Sequence, residues 1–361
     1  MNKRKQNITS ITPVKSNTLI RVSDDIGVIN KIIHEQATEY FKKGREKLSR
    51  KDFIGAIADL TRAIELSPRF ADAYYNRGVA KGSIGTVIEA LEDFNKAIEL
   101  NPNHNDAFLN RGLARGHLNQ LFGAIEDFNR AIELNPAGVK AYYNRGYVKN
   151  ELHDFTNAIV DFNIAIELLP NYTDAYYNRG NAKSALRDFQ GALEDYDKAI
   201  ELDPNFSLAY NKRGNVKQLI GDFEGALQDY SDSIKNNPND SNIYYERGTI
   251  FQMFRDYKSA LNDFNKSIEL NPNFATVYNY RGLAKEVLQD FAGAEQDYST
   301  AITLDANDAD AYVNRGSLRS IVHEYVGAIE DFKKAIELEP NYAFGEYDLR
   351  KKISEIENLI S

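Results

Sequence analysis

The chain of 361 residues has no cysteine and no tryptophan, only two methionines and only nine prolines. Without cysteine there can be no disulfide, no thiolate metal site and no cysteine nucleophile. The absence fits a reducing compartment. No run of 18 or more apolar residues occurs, so neither a transmembrane helix nor membrane insertion is expected. The five histidines (His34, His104, His117, His153 and His323) show no HExxH or comparable ligand spacing. Neither a Walker loop nor a GxSxG turn is present. The expectation is a chain with no catalytic residues, no metal site and no cofactor, and hence not an enzyme. Positive charge is also short, with 44 Lys and Arg against 53 Asp and Glu and a net charge of −9. Lys and Arg outnumber acids in residues 1–36, so the acidic excess belongs to residues 37–361. An acidic body without a large basic patch argues against nucleic acid. It favours a neutral or basic protein partner.

The first 22 residues contain no acid and are rich in Lys, Arg, Ser and Thr. Residues 1–24 are read as a basic, disordered tail, with an organelle transit peptide as the alternative. A cytoplasmic location is expected on the first reading and an organelle on the second.

What the chain does have is a period. Pro68, Pro102, Pro136, Pro170, Pro204, Pro238 and Pro272 stand 34 residues apart, and Pro340 resumes the count after one beat skipped at Ala306. A fixed period of this size marks a stacked repeat protein. Nine repeats fill residues 37–342 without a gap. Each reads as two amphipathic helices, because proline ends the second and restrains the residue before it. In residues 173–206 the helices are expected from about Ala175 to Leu186 and from about Phe189 to Leu202.

Within the period, Tyr or Phe stands fourth (Tyr40, Tyr74, Phe108 and onward to Tyr312) and glycine stands eighth in every repeat, from Gly44 to Gly316. A mid-helix glycine costs about 1 kcal/mol against alanine, so its recurrence implies close helix–helix approach. Alanine stands twentieth, from Ala56 to Ala328, where it is expected to face that glycine. An aromatic stands twenty-fourth from Phe94 onward, and Ala or Ser twenty-seventh, so positions 20, 24 and 27 make one helical face.

This pattern resembles the tetratricopeptide repeat family over residues 37–342. The resemblance implies an all-α fold, a right-handed α-solenoid superhelix of antiparallel helix pairs. It further implies that the first helices line a concave face that binds an extended peptide or a partner helix. Two departures stand out. Position seven, usually Leu in that family, is Arg from Arg77 to Arg315 with Lys43 leading, and position twenty-three is Asp from Asp59 to Asp331. A cation and an acid recurring on helices that pack together predict a paired ladder that fixes register. Position eleven, usually Tyr, is mostly Lys or Arg and lies one turn from position seven.

In the family, positions two, five, six, nine, twelve and thirteen point into the groove. Carried onto this chain, position six supplies Asn76, Asn110, Asn144, Asn178 and Asn314. Each offers a donor and an acceptor to a peptide backbone. This row is similar to the asparagine ladder of O-linked N-acetylglucosamine transferase, although no transferase domain is present. Position five supplies Tyr75, Tyr143, Tyr177 and Tyr245, amphipathic surfaces suited to recognition. Position two supplies Asp72, Asp106, Asp174 and Asp310, with Lys140 breaking the series. The ladder lapses at Lys212, Glu246 and Tyr280, so the groove is expected to be strongest over repeats two to five.

The ends suggest caps. A helical segment over 25–36, with Ile26, Ile29, Ile32 and Ile33, is expected to cover the first repeat. Residues 343–361 are expected to form a solvating helix with Phe344, Tyr347, Ile353, Ile356 and Ile360 on one stripe. Repeat six, where Lys235 and Asn236 interrupt the usual Glu-Leu, and repeat eight, which lacks its proline, are expected flex points. The functional reading is a non-catalytic scaffold that binds a peptide or protein. A structural self-assembly protein without a groove ligand is the alternative.

Overall fold

The computed structural model describes residues 17–344 and 348–360, so the first part of the expected tail and Tyr347 lie outside the described residues. All regular structure among the described residues is helical. The chain divides into two compact units, Met1–Pro170 and Asn171–Ser361. Each unit is a tandem array of antiparallel helix pairs, an α-solenoid, in which a helix contacts its partner and the helices of adjacent repeats.

In the first unit the helix Asn17–Ser49 runs for 33 residues. Residues 17–36 continue the first helix of repeat one without a break, and Val28, Ile29 and Ile32 on that stretch are exposed. The later repeats have first helices of 13 residues, such as Ala71–Ser83, and second helices of 14, such as Val87–Leu100. In the second unit the helix Phe223–Asn236 is as long as its counterparts despite Lys235 and Asn236. The helix Phe291–Leu304 likewise ends normally without proline. The reason is a side-chain turn: the Asp305 carboxylate accepts the Asn307 N–H at 2.9 Å, as Asn101 does for Asn103 at 3.1 Å. In six of the nine repeats an Asx side chain holds this turn, with or without the proline.

The link between the two helices of each pair is also uniform. The N–H of position sixteen donates to the carbonyl of position eleven in all nine repeats, at 2.7–3.1 Å, as in Asp188 to Lys183. That bond closes the first helix and requires a left-handed residue just before it. Position fifteen has positive φ throughout: Lys51, Gly85, Asn119, His153, Arg187, Gly221, Arg255, Gln289 and His323. In five of the nine repeats the position-sixteen residue, an Asp, then caps the second helix through its side chain. The Asp188 carboxylate accepts the Gly191 N–H at 3.0 Å, and Asp52, Asp222 and Asp290 do the same for Gly55, Gly225 and Gly293.

The core lies between the helices of each pair and between successive pairs. Positions 20, 24 and 27 are buried, as Ala90, Phe94 and Ala97 are. The eighth-position glycine meets chiefly the aromatic ring at twenty-four rather than the alanine side chain at twenty. A Cβ added at Gly78 would lie 2.7 Å from the Phe94 ring, with the Ala90 carbonyl next at 3.2 Å. The ring edge occupies the space of the missing side chain, so ring and glycine form one packing unit.

The Arg–Asp ladder is present from repeat two onward. Arg145 donates to Asp161 through Nε at 2.9 Å and Nη2 at 2.5 Å, and Asp161 is fully buried. Lys149, at position eleven, reaches the same carboxylate at 2.7 Å. The remaining guanidinium nitrogen turns to the preceding repeat, where Arg145 Nη1 donates to Asn129 at 2.6 Å. Its carbon sits 5.6 Å from the Tyr142 ring centre. In repeat seven Phe251 takes the place of the lysine, and Arg247 lies over its ring as well. In repeat one Lys43 pairs instead with Glu39, and Lys47 with Asp59. The ladder is therefore an interior link within and between repeats.

At the end of the second unit the helix Leu349–Ile360 packs on Tyr325–Leu338, burying Leu349, Ile353 and Ile356 beside Phe332. Phe344 and Ile360, expected on the buried stripe, are exposed, and Leu349, the first residue of the helix, is fully buried. Phe344 follows the 3-10 turn Pro340–Ala343 and lies off the helix, while Ile360 shares the stripe of Ile353 and Ile356 but is the last residue of the helix.

Candidate functional site

The position-six asparagines are held by their own helices. Nδ2 of Asn76, Asn110, Asn144 and Asn178 donates to the carbonyl of Asp72, Asp106, Lys140 and Asp174, at 2.7–2.9 Å. This i−4 bond uses one amide hydrogen and fixes the rotamer. Among the described residues the amide oxygens of Asn76, Asn110 and Asn144 accept no hydrogen bond. Asn314 differs: its Nδ2 donates to Asn279 Oδ1 at 2.9 Å, one repeat back.

The position-five tyrosines are half-buried, and Tyr75 and Tyr245 also reach the next repeat, at Asn110 and Tyr280. Tyr75 lies 4.7 Å from the His104 ring and its hydroxyl accepts from Asn110 at 3.3 Å. Burial, with Asp106 nearby, pushes its hydroxyl pKa up to about 12. Tyr143 packs on Phe162, Tyr177 on Phe206, and Tyr245 on Phe274 and Tyr280. Their rings form part of the wall more than they project from it. Asp72, Asp106, Asp174 and Asp310 are exposed. His104 approaches Asp72 at 3.3 Å, and the Tyr342 hydroxyl donates to Asp310.

Cavities open on these same helical positions. In the first unit a cavity of about 540 Å³ is lined by Leu113, Phe128, Tyr143, Asn144, Tyr147 and Glu151. A second, of about 420 Å³, is lined by Val79, Gly82, Asn110, Leu113 and His117. Glycine at position twelve widens both, since a Cβ on Gly116 would meet nothing within 4 Å. Sequence reasoning passes over Gly82 and Gly116, whose signal is the replacement of larger position-twelve residues such as Asn150 and Gln218.

The second unit carries a different cavity, of about 570 Å³, lined by Asn215, Leu219, Tyr245, Glu246, Thr249, Met253 and Tyr280. Asn211 Nδ2 donates to Glu246 Oε2 at 3.0 Å. With the Asn215 amide oriented to satisfy its neighbours, its Nδ2 donates to the same oxygen at 2.8 Å and to the Tyr230 hydroxyl at 2.8 Å. Tyr230 in turn donates to Gln218 at 2.8 Å. Burial raises the Glu246 pKa above its usual value, opposed by the Asn211 hydrogen bond and by Lys212. In the sequence Glu246 is only a gap in the asparagine row. Its meaning requires knowing that Asn211 and Asn215 of the preceding repeat converge on it.

Among the described residues no three His, Asp or Glu side chains gather as a metal site, and no helix is long and apolar enough to cross a membrane.

Models described as "Tetratricopeptide repeat" match residues 71–104, 173–206, 195–228, 245–311 and 309–342. A model described as "TPR repeat" matches 44–85 and 117–152. Together these matches cover more than half of the chain. Among solved structures, the C-terminal part of a TPR repeat-containing protein from Cytophaga hutchinsonii is 20% identical, with a TM-score of 0.56, over 67% of this chain and 98% of that one. The pilF protein of Pseudomonas aeruginosa is 18% identical, with a TM-score of 0.52, over 62% of this chain and 98% of that one. Both likenesses bear on the fold. YrrB, titled a TPR protein with an unusual peptide-binding site, is 26% identical with a TM-score of 0.47, over 53% of this chain and 97% of that one. Comparison with curated proteins gives no match.

Proposed function

The chain belongs to the tetratricopeptide repeat family, and from that premise we propose that it is a non-catalytic scaffold binding a peptide or protein segment along the face of its first helices. The observation that carries this reading is the coincidence of cavities with the inward positions. Asn110 and Asn144, with Tyr143, line the openings of the first unit. Their amide oxygens, oriented by the back-bonds to Asp106 and Lys140, suit acceptance of peptide N–H groups. Preorganised acceptors lose little rotamer entropy on binding, which favours affinity. Asp72, Asp106 and Asp174 along the same helices favour neutral or basic segments over acidic ones.

The test is retention of a random-sequence peptide library on immobilised protein. Wild type is expected to retain a fraction that Asn110→Ala/Asn144→Ala releases, with both proteins melting alike. Equal retention by the two would remove the asparagine row from any role in binding.

A second reading, self-assembly without a groove ligand, is favoured by one feature. Ile54, Ile88 and Phe122 occupy position eighteen of consecutive repeats and are 68%, 65% and 76% exposed. On that reading the protein self-associates with concentration, and Phe122→Ser with Ile88→Ser abolishes the association.

A further inference from the structure

The cavity at Glu246 is the one place on the first-helix face where the asparagine row gives way to a carboxylate that is partly withdrawn from water. Its hydrogen-bond partners are the neutral amides of Asn211 and Asn215, and no ion pair closes on it among the described residues. The charged groups near it are Lys212, on the preceding repeat's first helix, and Asp240, just before its own helix, and they oppose one another. The remaining titratable neighbours, Tyr230, Tyr245 and Tyr280, are phenols. A carboxylate in this setting carries a desolvation cost that the protein's own groups do not offset. An incoming cation would offset it.

The cavity walls suit a particular cation. The Tyr245 and Tyr280 rings stand 5.4 Å apart, edge to face, and both line the opening. An aromatic wall beside a carboxylate favours an alkyl stem ending in a positive group. At the rim, Leu219 and Met253 are 68% and 50% exposed and offer apolar contact on either side.

We propose that this cavity is a subsite for a single lysine or arginine side chain of an extended peptide, whose flanking apolar residues lie on Leu219 and Met253. The proposal rests on the peptide-binding reading of the first-helix face and names the chemistry that its second unit selects. The ammonium or guanidinium donates to Glu246, whose position is held by Asn211 and Asn215. The stem lies against Tyr245 and Tyr280. Charge pairing in a partly dry site is weakly screened and discriminates lysine from an isosteric neutral chain.

The experiment uses four pools of synthetic peptides, random except for a fixed central Lys, Arg, norleucine or Glu, passed over wild type, Glu246→Gln and Asn110→Ala/Asn144→Ala. Wild type is expected to retain the Lys and Arg pools about 10-fold or more over norleucine, the ratio expected for one charge-assisted bond. Glu246→Gln is expected to abolish that preference, whereas the asparagine variant keeps it at lower overall retention. Equal retention of Lys and norleucine by wild type would overturn the subsite and leave the groove standing. Failure of wild type to retain any pool would overturn both. Glu246→Gln is nearly isosteric, and its thermal midpoint, expected at or above that of wild type, shows that lost preference is not lost folding. A lowered midpoint with preference intact would assign Glu246 a structural role instead.

Discussion

Arg77 holds both oxygens of Asp93, with Nε 2.9 Å from Oδ2 and Nη2 2.7 Å from Oδ1, while its Nη1 donates 3.1 Å away to Thr61 in the preceding repeat. One guanidinium thus joins two helices of a pair and two successive pairs. Removing one member of a buried ion pair costs more than the pair contributes, because the other charge stays behind. Arg77→Leu is expected to destabilise by about 3 kcal/mol, the low end of the usual range, since Lys81 still reaches Asp93. Adding Asp93→Asn and Lys81→Met to Arg77→Leu, which removes every charge of the cluster, is expected to recover part of that loss. Urea unfolding of Arg77→Leu and of the combined variant checks it, and a combined variant less stable than Arg77→Leu would contradict the ladder account.

A Cβ at Gly180 would lie 2.8 Å from the Tyr196 ring, which is itself buried. Gly180→Ala is expected to cost about 1–3 kcal/mol through overpacking, despite alanine's better helix propensity. Gly180→Leu is expected to be insoluble, and less tolerated than Arg179→Leu. A soluble Gly180→Leu protein with a wild-type melting curve would show that the glycine has another purpose.

At the left-handed turn glycine is favoured for a backbone reason instead. Arg255 has φ 62° and Gly221, at the equivalent position, 86°. A side chain in this region costs about 1–2 kcal/mol, of which glycine's greater unfolded-state freedom cancels part. Arg255→Gly is expected to stabilise by about 0.5–1 kcal/mol, and Gly221→Ala to destabilise, in thermal melts. Stabilisation by both would contradict the turn geometry.

These turns show where sequence reading stops. The helix pairs, the glycine–aromatic crossing and the Arg–Asp ladder are legible because each needs a fixed residue type and recurs every 34 residues. Position fifteen is not, since Lys51, Asn119, His153 and Gln289 share a backbone conformation and no side-chain chemistry. Only Gly85, Gly221 and Asn119 advertise it. The second cation on the buried Asp residues, present in every repeat from two to nine but the seventh, is half visible: the pattern puts Lys81 and Lys149 on the right face, but not on Asp93 and Asp161. The asparagine row is legible as a row. Its back-bonds to Asp72, Asp106 and Lys140 are not, because an Asn mid-helix can equally point to water.

Glu246 ties stability to pH. Its carboxyl is raised in the folded chain by burial, so folding binds a proton more tightly than the unfolded state does. That contribution is fully present below the ordinary value of 4.5 and is lost as pH rises through the raised folded value. Glu246→Gln is therefore expected to be more stable than wild type at neutral pH, with the difference vanishing under acid. Melting midpoints across that range check it, and a Gln variant less stable at neutral pH would contradict the direction.

Hydrogen exchange on the full chain with its retained peptide pool tests the central claim most directly, since it reads where a ligand sits without assuming which residues matter. Groove binding predicts added protection on the first helices, among them Asn105–His117, Val139–Glu151 and Ser241–Met253, with the exposed surface at Ile54, Ile88 and Phe122 unchanged. Protection confined to that outer surface, with the first helices unaffected, would contradict it.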